Sequence, residues 1–214
     1  MLRPTNRLGS WSSSVRKGAA LVLPGLLVIA CGASVNDTEE VASESVASEA
    51  SQTVSLPFSS PFKNRWNSAN DGTEYEPCVA LSTFELERIG VQTDSVRDAA
   101  GTDGQTLRGC TWDFERASDG GRWVVSQMVA NSVGLDTYRQ KYAADHWLPD
   151  RQISGRRVGI TEAGSLGECM TYVQSGGAGI TTLVLHHRLP HPPVHEVCDR
   201  AIEFTKATID KMPR

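Results

Sequence analysis

The chain has 214 residues with 21 Lys+Arg against 25 Asp+Glu, and the charge is unevenly placed. Arg3, Arg7, Arg16 and Lys17 all precede the first acid, Asp37; without residues 1–30 the balance is 17 bases to 25 acids, a net charge of −8. So acidic a remainder argues against nucleic acid or anionic head groups as electrostatic partners. Its globular part, about 140 residues, suits one core rather than two.

The basic start leads into Leu21–Cys31, LVLPGLLVIAC. The run is too short to span a bilayer comfortably and ends at a cysteine after a small residue, the pattern of a secretory signal over residues 1–30. Val28-Ile29-Ala30-Cys31 resembles a bacterial lipobox, in which the cysteine thiol receives a diacylglyceryl group and becomes the new N-terminus. A plain signal peptide or a short membrane anchor is the alternative. The lipobox reading predicts a chain exported to the outer face of the cytoplasmic membrane, held in the cell envelope through lipid on Cys31.

Cysteine usage points to the same compartment. Of five cysteines, lipidation of Cys31 leaves Cys78, Cys110, Cys169 and Cys198. An even number in an exported chain reads as two disulfides. No C-x₂₋₄-C spacing exists to favour zinc.

Residues 31–72 read as an acidic, Ser/Ala-rich tether with a VASE duplication at 41–44 and 46–49. A flexible chain of that length spans roughly 35 Å, from about 5–6 Å × √n. Phe58, Phe62 and Trp66 at its end could dock on the domain, but a loose tail is the favoured expectation. A single domain over 73–214 follows. Pro77-Cys78 leads into a helix from Ser82 to about Gly90, with Ser82 and Glu85 at capping-box spacing and Leu81 and Leu86 placed as a staple. Residues 92–106 read as a loop. Gly109–Glu115 and Trp123–Ala130 are expected to form a hairpin across the turn residues Ser118-Asp119-Gly120-Gly121. Asp136 is placed to cap a short helix through about Asp145, with Leu135, Tyr138 and Tyr142 on one side. Ile153–Ile160, Cys169–Gln174 and Ile180–His187 read as strands, and an amphipathic helix closes the chain from about Pro193 to Met212. Helix, two strands, helix, three strands, helix is an α+β order, with helices packed on an antiparallel sheet.

Taken together, Pro77-Cys78 before a capped helix, Cys110-Thr111-Trp112 in the first strand, Cys169 in a later strand and Cys198 in the closing helix carry a family resemblance. The chain resembles a group of actinobacterial, mycobacterial-type envelope lipoproteins built on a four-cysteine domain of unknown function. That resemblance implies secretion, acylation and two disulfides, and carries no activity. The chain is also distantly similar to sheet-and-helix domains of PsbP-like or kinase-sensor type, a likeness of fold alone. Of three possible pairings, Cys78–Cys110 and Cys169–Cys198 are preferred because each would clip a helix to the sheet.

Candidate chemistry is sparse. His186, His187, His191 and His195 fall within ten residues, but adjacent strand residues point to opposite faces. Only His187, His191 and His195 make a usable trio, and no H-E-x-x-H holds them rigidly. Ser165 in AGSLGE and Ser175 in QSGG sit in glycine-rich turns without G-x-S-x-G. No phosphate-binding glycine motif occurs, and the carboxylate pairs Glu85/Glu87 and Asp113/Glu115 fall on solvent faces. Trp112 reads as core, and Trp147 in DHWLPD as the exposed contact aromatic.

The expectation is therefore a non-catalytic binding module without a catalytic residue, metal or cofactor. Its ligand would be an envelope protein, a cell-wall fragment or a lipid, held by the sheet's open face or by loops near Trp147 and residues 188–194. The alternative is a metal-dependent envelope enzyme or factor working through His187, His191 and His195.

Overall fold

The computed structural model describes residues 54–115, 120–162 and 167–214. The expected signal, the lipobox with Cys31 and the tether up to residue 53 lie outside the described residues, as does Ser165. Seven strands form one sheet: β1 (Arg97–Asp98), β2 (Arg108–Asp113), β3 (Trp123–Asn131), β4 (His146–Ile153), β5 (Arg156–Glu162), β6 (Glu168–Ser175) and β7 (Ala178–His186). Their order is β1-β2-β3-β7-β6-β5-β4, antiparallel throughout. Two meanders, β1–β3 and β4–β7, thus meet where β3 pairs with β7. Four helices accompany the sheet: α1 (Pro77–Ala80), α2 (Thr83–Arg88), α3 (Leu135–Lys141) and α4 (Val194–Thr208).

Alternation along the strands assigns two faces. On one, Val125, Val129, Val173, Ile180 and Val184 are fully or almost fully buried, packed with Val197, Ala201 and Phe204 of α4. Trp112 joins them, its ring 5.6 Å from that of Phe204. The polar groups on this face pair with one another. Gln127 donates to Thr182 (2.9 Å) and Thr208 (3.0 Å) and accepts from the Tyr75 hydroxyl (2.5 Å), while Thr171 meets Thr205 at 2.6 Å. Disulfides Cys78–Cys110 and Cys169–Cys198 tie α1 to β2 and α4 to β6.

The sheet is richer in strands than the sequence order suggests: β1 and β4 are additional. β4 contains Pro149 and reads His-Trp-Leu-Pro-Asp-Arg-Gln, which conceals it from a pattern search. It is tolerated because β4 is an edge strand whose register shifts between Leu148 and Arg151, where a proline need not donate to a ladder. The expected strand Ile153–Ile160 in fact straddles a hairpin. Ser154 (φ 50°) and Gly155 (φ 70°) make its two-residue loop, in the left-handed region that such tight turns require. β1, only two residues long, lies in the stretch read as a loop.

The helix ends are explained by their caps. Ser82 and Glu85 form a reciprocal capping box on α2, over buried Leu81 and Leu86. For α3, Gly134 stands at the N-cap instead of Asp136, which lies within the first turn and pairs with Arg157 at 2.9 Å.

The packed domain also begins earlier than position 73. Leu56 and Phe58 rest against the core, and Arg65 and Asn70 are buried. Arg65 donates to Glu76 (2.8 Å) and Asp98 (3.1 Å), and the planar Arg108 guanidinium lies 3.5 Å from the centre of the Trp66 ring. Arg108, fully buried, donates to the carbonyls of Asn70, Thr73 and Tyr75 and to Glu76. Burial pushes its pKa down to about 10 against the opposing pull of Glu76. A loose tail is the expectation because the tether as a whole carries little apolar area. Two buried guanidinium groups, satisfied by carbonyls and carboxylates, hold it instead, and hydrophobic periodicity does not register such contacts.

Candidate functional site: a cavity under a short helix

On the second face, the connection from β3 to β4 carries α3 across the sheet. Paired residues of antiparallel strands share a face, so register gives the floor. One row is Ala130–Gly179–Gln174 and the next Met128–Thr181–Tyr172. At Gly179 a Cβ would come within 2.4 Å of the Tyr172 ring, so the strand must be bare there for the tyrosine to lie flat. Ala130 and the two glycines Gly177 and Gly179 leave the floor low between taller neighbours. The result is a cavity of about 630 Å³, also lined by Met170, by Thr137, Tyr138 and Lys141 of α3 and by Tyr142 at its C-cap. This lies within the usual range for small-molecule sites, about 300–1,000 Å³.

α3 has only seven residues and is held by its ends. Leu135 sits over Gly159, where a Cβ would meet its Cδ1 at 2.4 Å. Arg139 pairs with Asp150 (2.5 Å) and stacks on Trp147 (4.7 Å), and Arg157 bridges Asp136 and Asp150. Tyr138 is the keystone: its ring centre lies 4.5 Å from Tyr172 and 4.6 Å from Tyr142, with Trp147 edge-on at 6.3 Å. Its hydroxyl approaches Met170 Sδ at 3.7 Å, and burial raises the pKa of both the Tyr138 and Tyr172 hydroxyls, so these line the cavity as neutral groups.

Asn131, Ser132 and Tyr172 at the cavity are engaged. Asn131 Nδ2 donates to Ser68 O and Asp71, while its Oδ1 accepts from Gly72 N. The Tyr172 hydroxyl donates to Gln174 Oε1 (2.5 Å) and lies 2.8 Å from the Ser132 hydroxyl. Lys141 is the one charged residue among those lining the cavity.

The residues singled out from sequence are dispersed. Trp147 is half-buried against α3, its Nε1 donating to Tyr142 O, beside the cavity rather than free on the surface. His187 is exposed at the end of β7. His195, in the first turn of α4, lines a groove with Leu148 and Ile202. His191 faces His186, ring centres 6.3 Å apart. The histidine trio is therefore split, and His191 lies beside His186 instead. Among the described residues no group of three or more His, Cys, Asp or Glu could hold a metal ion. Ser175 is buried, its hydroxyl 2.9 Å from those of Thr73 and from Pro213 O, a structural position.

Sequence reasoning noted Tyr138 and Tyr142 on one side of a helix but not what they cover. The usable signal is the small residues, Ala130 and Gly179 in facing strands and Gly177 in the turn beside them.

A family model described as "Protein of unknown function (DUF3558)" matches residues 26–211. No curated protein and no solved structure matches the chain.

Proposed function

We propose, from the premise that this chain belongs to the DUF3558 family of proteins of unknown function, that it is a non-catalytic binding module of the cell envelope. Its working part is the cavity between α3 and the second face of the sheet. The observation that carries this reading is a hollow of about 630 Å³ whose floor drops at Ala130 and Gly179 between two methionines and which tyrosines roof. Asn131, Ser132 and Tyr172 in its lining are held in hydrogen bonds, an arrangement suited to receiving a ligand rather than to activating a nucleophile.

Placement in the envelope is supported by the basic start, the apolar run to Cys31 and two disulfides, which persist outside the reducing cytosol. A diacylglyceryl group on Cys31 would attach the protein durably, since one acyl chain alone binds only marginally. Tethering would raise the effective concentration of the cavity for envelope ligands. Replacing Cys31→Ser should release the protein from the membrane fraction. An unmodified N-terminus downstream of Cys31 in the native protein contradicts the anchor.

The cavity reading is tested with Nile red, a neutral apolar dye, on the full chain. Saturable binding with a blue-shifted emission is expected, lost in Ala130→Phe and retained when His187, His191 and His195 are replaced by alanine. Loss with the histidines instead, together with micromolar zinc affinity, moves the site to the histidine cluster.

A further inference from the structure

The cavity also constrains what enters it. Tyr138 lies between the Tyr142 and Tyr172 rings, so the aromatic faces that would stack on a sugar are largely taken up. Asn131, Ser132, Gln174 and Tyr172 are hydrogen-bonded to one another, to Asp71 or to backbone, so the polar groups left to a ligand are the threonine hydroxyls of Thr106, Thr137 and Thr181, with no side-chain amide or carboxylate among them. The floor of Met128, Ala130, Met170 and Gly179 offers shape and apolar contact. Methionine suits a chain that must be gripped without directional bonds. One charge is present at the site and it is positive. Lys141 is exposed on α3, its Nζ 5.4 Å from the Tyr142 ring centre, and no acidic residue lines the cavity.

We infer that the ligand is a single-chain amphiphile with an anionic head: the acyl chain lies on the Met128–Met170 floor under Tyr138, and the head meets Lys141 Nζ. This rests on the cavity reading above and narrows it from a pocket to a chemical class. Both elements are needed. The apolar surface supplies affinity that grows with chain length, while an exposed lysine supplies only a modest, salt-sensitive preference for sign.

The probes are dodecanoate, tetradecanoate and hexadecanoate, with tetradecanol and a tetradecyl trimethylammonium salt as head-group controls. Each is titrated below its micellar concentration into the full chain. Affinity should rise about fourfold per added CH₂ until the chain outgrows the cavity. Tetradecanoate should bind about two- to fivefold tighter than tetradecanol at low salt, and the cation weakest. Lys141→Gln should erase the preference while leaving tetradecanol unchanged. Ala130→Phe should remove every ligand, as should Thr137→Trp, which blocks the mouth from an exposed position and leaves the floor intact.

Equal binding of acid and alcohol, or a preference that survives Lys141→Gln, overturns the anionic head while the cavity reading stands. No binding of any chain, or binding indifferent to both blocking variants, overturns both.

Discussion

The two faces of this sheet are built on opposite plans. The face under α4 is closed by a fifteen-residue helix, a disulfide and a polar network in which Gln127 alone joins Tyr75, Thr182 and Thr208. The face under α3 is closed by seven residues pinned through ion pairs and one tyrosine stack, over a floor that drops at Ala130 and Gly179 between two methionines. Tight packing secures the fold, and slack packing is a cost that a domain this size accepts where the space is used. Space remains on the face whose covering element is too short to fill it.

The sharpest way to break the α4 face is to strand a buried charge. Glu76→Gln leaves Arg65 and Arg108 without their shared carboxylate and should cost about 3–5 kcal/mol in denaturant unfolding. Its effect on Nile red binding in the surviving folded fraction should be nil. Next in size, replacing Cys169 and Cys198 together by serine opens a loop of sequence separation 29 and should cost about 3–4 kcal/mol.

The α3 face should respond weakly by the same measure. Met128→Ala removes a half-buried side chain beside space already open, so its cost should be about 1 kcal/mol, well below the 2–5 kcal/mol of a packed core methionine. Chain binding, by contrast, should fall. A cost comparable to the core value would show that the cavity is closed in solution.

The smallest effect is a pH dependence. Hydrogen bonds from Lys211 Nζ and from the Ser82 amide and hydroxyl hold the Glu85 carboxyl at about 2, below the usual glutamate range. A carboxyl lowered in the folded state adds stability that is complete above its unfolded pKa and is lost as pH falls through the folded value. The stability difference between the protein and Glu85→Gln should therefore persist at neutral pH and shrink from near pH 4.5 towards pH 2. Unfolding midpoints over that range check it, and a difference that grows on acidification contradicts the assignment.

Much of the α4 face was legible because it rests on alternation and amphipathic spacing. The stripe expected to face inward, Val194, Val197, Cys198, Ala201, Ile202, Thr205 and Ile209, is buried except for Val194, which the first turn of α4 leaves exposed. The second face was not, for three local reasons. β4 hides behind Pro149 and its charges, α3 begins at a glycine rather than at its aspartate, and a cavity is defined by what side chains lack. The docking of residues 54–72 showed only in the apolar Phe58, Phe62 and Trp66, since the buried arginines that fix it leave no hydrophobic signature. The histidine cluster shows the opposite failure, because closeness in sequence suggested a site that a strand end, a turn and a helix start pull apart.

The chain's own methionines allow the most direct test. Of its four, Met128 and Met170 line the cavity, whereas Met212 is buried at the end of the chain among core residues of the α4 face. Methyl-labelled methionine NMR of the full chain, titrated with tetradecanoate, should shift and broaden Met128 and Met170 together and leave Met212 in place. Movement of Met212 with Met128 and Met170 unperturbed would place the ligand on the α4 face and contradict the account.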